Sequence, residues 1–351
     1  KDVSTGRSFT YRDLYQLSGL LAKHLKDQYK VLPGDRIAVL STNKVEYIPL
    51  FFALQRLGAI CVPINFRLTA REVDHILKDS GARLFITQNN FKYLLNELNY
   101  SSSMFSFEEI QNLCAQFMKT TSSKDFEFAG SYEDPVMILY TSGTTGAPKG
   151  AVITHKMLFW NSVNTGLRLN LTEKDVSLCF LPLFHTGGWN VLTTPLLHRG
   201  AKLIFLEGFD ADQVVQLSDK EKISILFGVP TTMDMMARCP SFKNTNFSSV
   251  RYAIVGGEPM PLDLIKTWHK KEVPVRQGYG LTEFGPNVFS LNEEDAIRKI
   301  GSIGFPNFYI ETKIVDNEGK EVGANTVGEL ALKGPMCMKE YWNHPEATAN
   351  T

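Results

Sequence analysis

The sequence predicts a layered α/β fold with largely parallel sheets, followed by a small β-rich, barrel-like subdomain. Short apolar runs alternate with amphipathic helical patterns through most of the chain, as in "RIAVL" followed by "NKVEYIPLFFALQRLG". Buried strands separated by helices are typical of parallel sheets that are covered on both faces. From about residue 296 a period-two pattern around a turn replaces this alternation, and it indicates antiparallel strands.

The first part of the chain contains two helices with strong start signals. Thr10 and Asp13 form a capping arrangement ahead of leucines that recur at helical spacing from 14 to 25, and Thr69 and Glu72 form a capping box at "TAREVDHILKDSG". The runs "RIAVL", "AICVPI" and "RLFITQ" predict buried strands between these helices. Residues 99–134 have a weak pattern, and we expect a partly helical surface excursion there.

The same alternation resumes after residue 135. Strands are predicted at "VMILY", "VSLCFLP", "AKLIFLE", "ISILFGV", "RYAIVGG" and "PVRQGYG", with helices from about Lys156 and at "PLDLIKTWHKK". The segment "YIETKIVDNEGKEVG" turns at Asn317 and Gly319, and "GELALKG" follows it. We therefore expect an α/β core over 1–295 and a β-rich subdomain over 296–351, both within one large domain.

Composition excludes several classes of function. Lys plus Arg and Asp plus Glu are equal at 37 each, so no net field favours nucleic acid or an anionic membrane. The five cysteines include no CxxC pair, which argues against a disulfide framework or a zinc site and favours a reducing, cytoplasmic location. The longest apolar run is broken by Gln55, Arg56 and prolines, so no transmembrane segment is predicted.

Residues 140–150, "YTSGTTGAPKG", carry the strongest functional signal. Glycines let backbone amides approach an anion, hydroxyls add rotatable donors, and Lys149 adds a point charge, a combination suited to a polyphosphate. A Walker A loop needs glycine before the lysine and a hydroxyl after it, but Pro148 and Gly150 stand there. In "GYGLTEFG" Glu283 replaces the third glycine of a dinucleotide fingerprint. P-loop and Rossmann sites are therefore disfavoured.

The segment "LYTSGTTGAPKGAVITH" resembles the signature loop of the adenylate-forming (AMP-binding) superfamily. "LPLFHTGG" at 181–188, "VGGEPMP" at 255–261 and "QGYGLTEFGP" at 277–286 follow in that family's order, and the resemblance covers essentially the whole chain. It implies the N-terminal domain of an acyl-CoA synthetase or fatty acid–CoA ligase. Such an enzyme converts a carboxylic acid, here a medium- or long-chain fatty acid, to acyl-AMP with ATP and Mg2+, and then to a thioester with CoA.

The resemblance also implies roles for residues at the phosphates. Lys149 would offset their charge, Thr282 would donate to the α-phosphate, and Glu283 would hold Mg2+, a hard cation that prefers carboxylate oxygen. The resemblance also implies that His185 gates the acyl tunnel. Lys149, Thr282, Glu283 and His185 form the predicted catalytic set. The residues expected to hold the β- and γ-phosphates are Thr141, Ser142, Gly143, Thr144, Thr145 and Gly146.

Two further sets follow from the same resemblance. Tyr279 would stack on adenine, and the other residues expected around the nucleotide are Gly256, Gly257, Glu258, Pro259, Gln277, Gly278 and Gly280. The residues expected to wall the acyl pocket are His185, Trp189, Asn190, Gly256 and Gly278.

Several alternatives stay open. In the first alternative, the acid is an aromatic or succinylbenzoate-type molecule. In the second, the chain is a catalytically silent nucleotide-binding module, and the presence of Lys149, Thr282 and Glu283 argues against it. The partners expected are small molecules, and the sequence leaves a homodimer and a carrier-protein thiol as acceptor open. The family pattern continues beyond Thr351 into a Thr-Gly-Asp block and a mobile domain with a catalytic lysine, so we expect little thioester formation by residues 1–351 alone.

Overall fold

The computed structural model describes residues 1–98, 100, 103–118, 130–141 and 148–351. The helices in these ranges are α1 Tyr11–Tyr29, α2 Tyr47–Arg56, α3 Ala70–Ser80, α4 Lys92–Leu95, α5 Phe107–Phe117, α6 His155–Arg168, α7 Thr193–Arg199, α8 Ala211–Lys220, α9 Pro230–Arg238, α10 Leu262–His269, α11 Asp295–Arg298 and α12 Pro345–Ala349. The strands are β1 Arg36–Leu40, β2 Ile60–Pro63, β3 Leu84–Thr87, β4 Ser103–Ser106, β5 Pro135–Thr141, β6 Lys149–Thr154, β7 Val176–Cys179, β8 Lys202–Phe205, β9 Ile225–Gly228, β10 Tyr252–Val255, β11 Val275–Tyr279, β12 Phe289–Ser290, β13 Phe305–Pro306, β14 Glu311–Val315 and β15 Glu329–Lys333.

The first sheet has six strands in the order β4-β3-β1-β2-β5-β6. Neighbouring strands are parallel except β5 and β6, which are antiparallel and are joined through residues 142–148. This sheet confirms the predicted parallel α/β layers. The expectation of a surface excursion at 99–134 is wrong at β4, because that strand pairs with β3 and extends the sheet before α5 begins.

The second sheet has seven strands in the order β13-β12-β11-β10-β9-β7-β8. The five strands from β7 to β11 are parallel, and β12 and β13 add an antiparallel edge. The chain passes from β7 to β8 on one side, then returns to β9, β10 and β11 on the other. The carboxyl ends of β7 and β9 therefore flank the topological switch point, where open α/β sheets bind ligands.

A third, two-stranded sheet pairs β14 with β15 in antiparallel register. The turn after β14 includes Gly319 at φ +78°, and the Asp316 carboxylate accepts from the backbone N–H groups of Glu318 and Lys320. This pairing confirms the predicted antiparallel strands near the end of the chain. The division at 295/296 stays a prediction; β13 at Phe305–Pro306 still belongs to the second sheet.

Local capping explains where the helices begin. Both predicted capping boxes form, with the Thr10 side chain accepting from Asp13 and the Thr69 side chain accepting from Glu72 at their backbone N–H groups. α2 starts at Tyr47 rather than at the predicted Asn43, and the side-chain amide of Asn43 instead donates to the Leu181 carbonyl and accepts from the Leu183 N–H. Within the described ranges, none of the helices has the length and apolar character needed to span a membrane.

Candidate active site

A cavity of about 540 Å3 opens at the carboxyl ends of the parallel strands in the second sheet. Its wall is built by residues that follow β7, β9 and β10 directly, and by the last residues of β11. Parallel strands bring these loops to one edge of the sheet, so the position of the cavity follows from the topology.

The cavity wall is rich in aromatic side chains. Besides Tyr279 they are six phenylalanines, Phe66, Phe180, Phe184, Phe209, Phe227 and Phe289. The charged residues at the wall are Arg67 and Glu207, both exposed, and the Glu207 carboxylate is already paired with Lys44 at 2.7 Å. A mostly apolar wall with few polar groups fits a ligand with a large apolar part.

Glycines form the floor of the cavity. A Cβ on Gly280 would lie 1.4 Å from the Pro286 carbonyl oxygen, so only glycine fits the close packing there. A Cβ on Gly278 would lie 3.1 Å from the Phe289 carbonyl oxygen, and one on Gly256 would lie 3.4 Å from the Gly278 carbonyl oxygen. Because Gly256 and Gly278 lack side chains, the strand ends of β10 and β11 are open to a ligand.

The predicted nucleotide residues divide into two groups. Tyr279 is 41% exposed at the cavity wall, and its ring meets Phe289 edge-on at 6.1 Å, so the side chain is accessible from the cavity. Gly257, with φ +87°, also lines the wall. Glu258 and Pro259 are exposed beyond it and do not line the cavity within the described part of the chain.

Gln277 does not face the cavity, in contrast to its predicted place among the nucleotide-binding residues. Its side chain is buried, the Oε1 atom accepts from the Met260 N–H at 2.8 Å, and Nε2 donates to the Gly301 carbonyl at 3.3 Å. Both ends of the amide therefore have backbone partners. Gln277 fixes the segment that follows β10 from behind the cavity wall.

His185 lies on the cavity wall at the start of a tight turn. Its Nδ1 atom accepts from the Gly187 N–H at 3.2 Å, which places the proton of a neutral ring on Nε2. The side chain has access to the open cavity, while the protein around it desolvates the ring and lowers the His185 pKa. The imidazole is therefore neutral at pH 7 and brings no charge to the apolar cavity.

Trp189 and Asn190 are fully buried and are not on the cavity wall, which corrects the prediction for these two residues. Residues Gly187–Val191 form a single π-helical turn, and it directs both side chains into the core. The Trp189 ring packs against Tyr47 and Phe51, at centroid distances of 5.3 and 4.7 Å. The Asn190 side chain donates to the Thr186 hydroxyl at 3.4 Å.

Thr141 and Lys149 end β5 and begin β6, and they are direct partners in the antiparallel pair. The Thr141 hydroxyl donates to the Lys149 carbonyl at 3.5 Å, a long contact that closes the pair. The predicted phosphate-binding residues Ser142, Gly143, Thr144, Thr145 and Gly146 lie outside the described residues.

Thr282 and Glu283 sit in the 3-10 turn Thr282–Phe284, which follows β11. The Glu283 Oε1 atom accepts a hydrogen bond from the Tyr341 hydroxyl at 2.6 Å. The Lys149 Nζ atom lies over the same ring, 5.7 Å from its centroid. Lys149 and Glu283, which are far apart in sequence, thus meet at one side chain.

Sequence reasoning missed Tyr341, because no pattern singles out one tyrosine in "KEYWNHPEA".

Lys149, Glu283 and Tyr341 form a corner whose residues fit a nucleotide-bound magnesium ion. The described part of the chain has no group of three His, Cys, Asp or Glu side chains able to enclose a metal. Magnesium bound with a nucleotide keeps water and phosphate ligands and needs only one or two carboxylates. Glu283 is half-buried, and with Oε1 engaged by Tyr341 its other carboxylate oxygen can serve as that ligand.

Fold and site together define an enzyme class: a doubly layered α/β enzyme with an apolar cavity and, at the turn after β11, a corner where a lysine and a carboxylate meet at one tyrosine. The chain belongs to the AMP-binding enzyme family, whose pattern matches residues 2–342. Members of this family that ligate acids to CoA use ATP and CoA, and the chain is an acid–thiol ligase of this adenylate-forming type.

Relatives and solved structures agree with this assignment. A feruloyl-CoA synthase of an Amycolatopsis species is 34% identical over 344 residues, covering 98% of this chain and 68% of the relative. The long-chain-fatty-acid–CoA ligase FadD13 of Mycobacterium tuberculosis is 34% identical over 353 residues, covering 99% and 69%. The inhibitor-bound N-terminal domain of FACL13 from Mycobacterium tuberculosis superposes with a TM-score of 0.92 at 32% identity, covering 99% of this chain and 88% of that domain.

Proposed function

We propose that this chain activates a medium- or long-chain fatty acid with ATP, giving acyl-AMP and pyrophosphate, and that the acyl group then passes to CoA. The observation that carries the proposal is the apolar cavity of about 540 Å3, which reaches the glycine floor at Gly256 and Gly278. A carboxylate at the floor would have its apolar chain against the phenylalanine wall. The likeness to a long-chain-fatty-acid–CoA ligase supports this choice of acid.

The reaction brings two anions together, since the acid oxygen attacks the α-phosphate of ATP. The site must therefore supply positive charge and in-line positioning. We assign Lys149 to the charge of the departing phosphates and the Thr282 hydroxyl to the α-phosphate. Glu283 would hold Mg2+, which when bound offsets the charge of the pyrophosphate leaving group.

Other residues bind and orient the substrates. Thr141, at the end of β5, and the glycine- and hydroxyl-rich residues after it would hold the β- and γ-phosphates. The exposed Tyr279 side chain would stack its ring on adenine, beside the backbone of Gly256 and Gly257. His185, neutral because of its lowered pKa, lies on the wall and would let the acid pass without pairing to its carboxylate.

The charges at the wall argue against an amino acid as the substrate. An amine would need a free carboxylate partner, whereas Glu207 is paired with Lys44. The second candidate is an aromatic acid, favoured by the six phenylalanines of the wall and by the likeness to a feruloyl-CoA synthase. The two candidates differ in the length of the apolar chain that the cavity accepts.

Thermal melts with acyl-sulfamoyl-adenosine analogues test the proposal, since these compounds mimic the adenylate. A ligand present at about 100 times its dissociation constant stabilises by about 2.7 kcal/mol. With an unfolding entropy of about 2.1 cal/mol/K per residue, that raises the midpoint by about 4 °C. We expect the largest rise with octanoyl and palmitoyl analogues, and its loss in Thr282→Ala.

The other outcomes decide between the candidates. A rise that is largest with benzoyl and feruloyl analogues would replace the fatty acid by an aromatic acid. If magnesium-ATP raises the midpoint and none of the analogues, including an acetyl one, does so, the proposal is wrong and the silent nucleotide-binding module takes its place.

A further inference from the structure

Residues 338–342 connect the two large sheets beside the corner formed by Lys149 and Glu283, the proposed phosphate and metal ligands. The Met338 N–H donates to the Glu283 carbonyl at 2.7 Å, which fixes one end of the segment to the turn after β11. The Glu340 carbonyl accepts from the Val152 N–H at 2.9 Å, and the Trp342 N–H donates to the Gly150 carbonyl at 2.8 Å. The segment therefore lies along the free edge of β6 while it holds Glu283 by its backbone.

Tyr341, in the middle of this segment, contacts both charged groups of the corner. Its hydroxyl donates to Glu283 Oε1 at 2.6 Å, a short bond of the kind made to an ionised carboxylate. Its ring carries the Lys149 ammonium 5.7 Å from the centroid, within the usual range for a cation–π contact. The Tyr341 hydroxyl thus binds the negatively charged Glu283, and the Tyr341 ring binds the positively charged Lys149.

Lys149 and Glu283 nevertheless make no ion pair in the part of the chain that the structure describes. Both side chains are half-buried, where opposite charges attract more strongly than in bulk water. Each has Tyr341 as a partner instead. If they paired with each other, neither would be available to a metal or a phosphate.

We propose that Tyr341 is a positioning residue that holds Glu283 and Lys149 in place for separate ligands. Its hydroxyl fixes one oxygen of Glu283 and leaves the other for a divalent cation, and its ring supports Lys149 for the phosphates. A hydrogen bond to a metal-binding carboxylate orients that ligand, as the outer partners of metal sites do. This inference rests on the proposed roles of Glu283 and Lys149.

Calorimetric titration with α,β-methylene-ATP, with and without Mn2+, tests the inference without turnover. The ratio of the two dissociation constants measures how much the metal strengthens nucleotide binding. In Tyr341→Phe, which removes only the hydroxyl, we expect this ratio to fall roughly 10-fold. The metal-free dissociation constant should stay as in the wild type, because the ring still supports Lys149.

A second pair of variants tests the separation of charges. Tyr341→Leu removes ring and hydroxyl, so Lys149 and Glu283 become free to pair, and the ratio should fall further than in Tyr341→Phe. Adding Lys149→Met to Tyr341→Leu should raise the ratio again, because the competing ammonium is gone. A merely structural role for Tyr341 would not produce this recovery.

Tyr140→Phe is the matched control. The Tyr140 hydroxyl donates to Asp79 at 2.6 Å, so the change removes the same kind of bond at a carboxylate other than Glu283. It should leave the ratio unchanged. A wild-type ratio in Tyr341→Phe, or no recovery in the double variant, would overturn the inference. If Glu283→Gln also keeps the wild-type ratio, the proposed metal role of Glu283 itself has failed.

Discussion

Replacing Trp189 with alanine should destabilise the protein without changing which acid its cavity binds. The side chain is fully buried and packs against Tyr47 and Phe51, with ring centroids 5.3 and 4.7 Å away. These neighbours belong to α2 and lie away from the cavity wall. Removing the indole leaves a hole in the core between α2 and the π-helical turn.

The size of the effect follows from this burial. Truncating a buried tryptophan to alanine costs about 3–5 kcal/mol, for lost contacts and the residual hole together. With about 2.1 cal/mol/K of unfolding entropy per residue, the melting midpoint should fall by about 5 °C. Trp189→Phe should lose less, because it keeps an aromatic ring and removes an indole N–H that is buried without a partner in the described part of the chain.

Thermal melts with and without palmitoyl-sulfamoyl-adenosine measure both quantities. Phe184→Ala is the comparison, since Phe184 lies on the cavity wall and meets Phe66 edge-on at 5.1 Å. It should reduce the rise produced by the ligand, whereas Trp189→Ala should lower the unliganded midpoint and keep that rise. The reasoning is refuted if Trp189→Ala abolishes the ligand-induced rise and leaves the unliganded midpoint where it was.

Two further predictions concern the cavity floor and the response to acid. Gly280→Ala should prevent normal folding, because its Cβ would lie 1.4 Å from the Pro286 carbonyl oxygen. The Cβ of Gly256→Ala would lie 3.4 Å from its nearest neighbour, so this variant should fold with a near wild-type melting midpoint and bind the acyl-adenylate analogue more weakly. Equal melting midpoints for the two variants would contradict this prediction. Burial lowers the His155 pKa to about 4, so the unfolded chain, with its ordinary value of 6.5, binds the proton first and stability falls as the pH drops from 6.5 towards 4. His155→Gln should therefore lose less free energy of unfolding between pH 7 and pH 5 in urea titrations than the wild type, and an identical loss would exclude this role.

The elements that sequence predicted well are those specified by local pattern. The Thr10 and Thr69 capping boxes and the buried strands follow from residues a few positions apart, and the structure contains them. β4 could not be found in this way. In its sequence "SMFS" only Phe105 is buried, so the strand forms because β3 offers a free edge.

Individual site residues were harder to place for the same reason. Trp189 follows a motif that the resemblance puts at the acyl pocket, but one π-helical turn directs its side chain into the core. Gln277 follows the same logic: its amide is used by the Met260 N–H and the Gly301 carbonyl, 17 and 24 positions away. Sequence locates such residues near a site, and backbone geometry decides which way they face.

The corner where Lys149, Glu283 and Tyr341 meet shows how far this dependence extends. Lys149 starts β6 of the first sheet, and Glu283 follows β11 of the second. Their shared partner, Tyr341, is held by a segment that pairs with β6 and bonds to the Glu283 carbonyl across 55 positions of sequence, from 283 to 338. Because these bonds require both sheets, the corner takes its shape only once the sheets have docked. The charged groups at this corner are therefore positioned by tertiary contacts, although each of their motifs can be recognised locally.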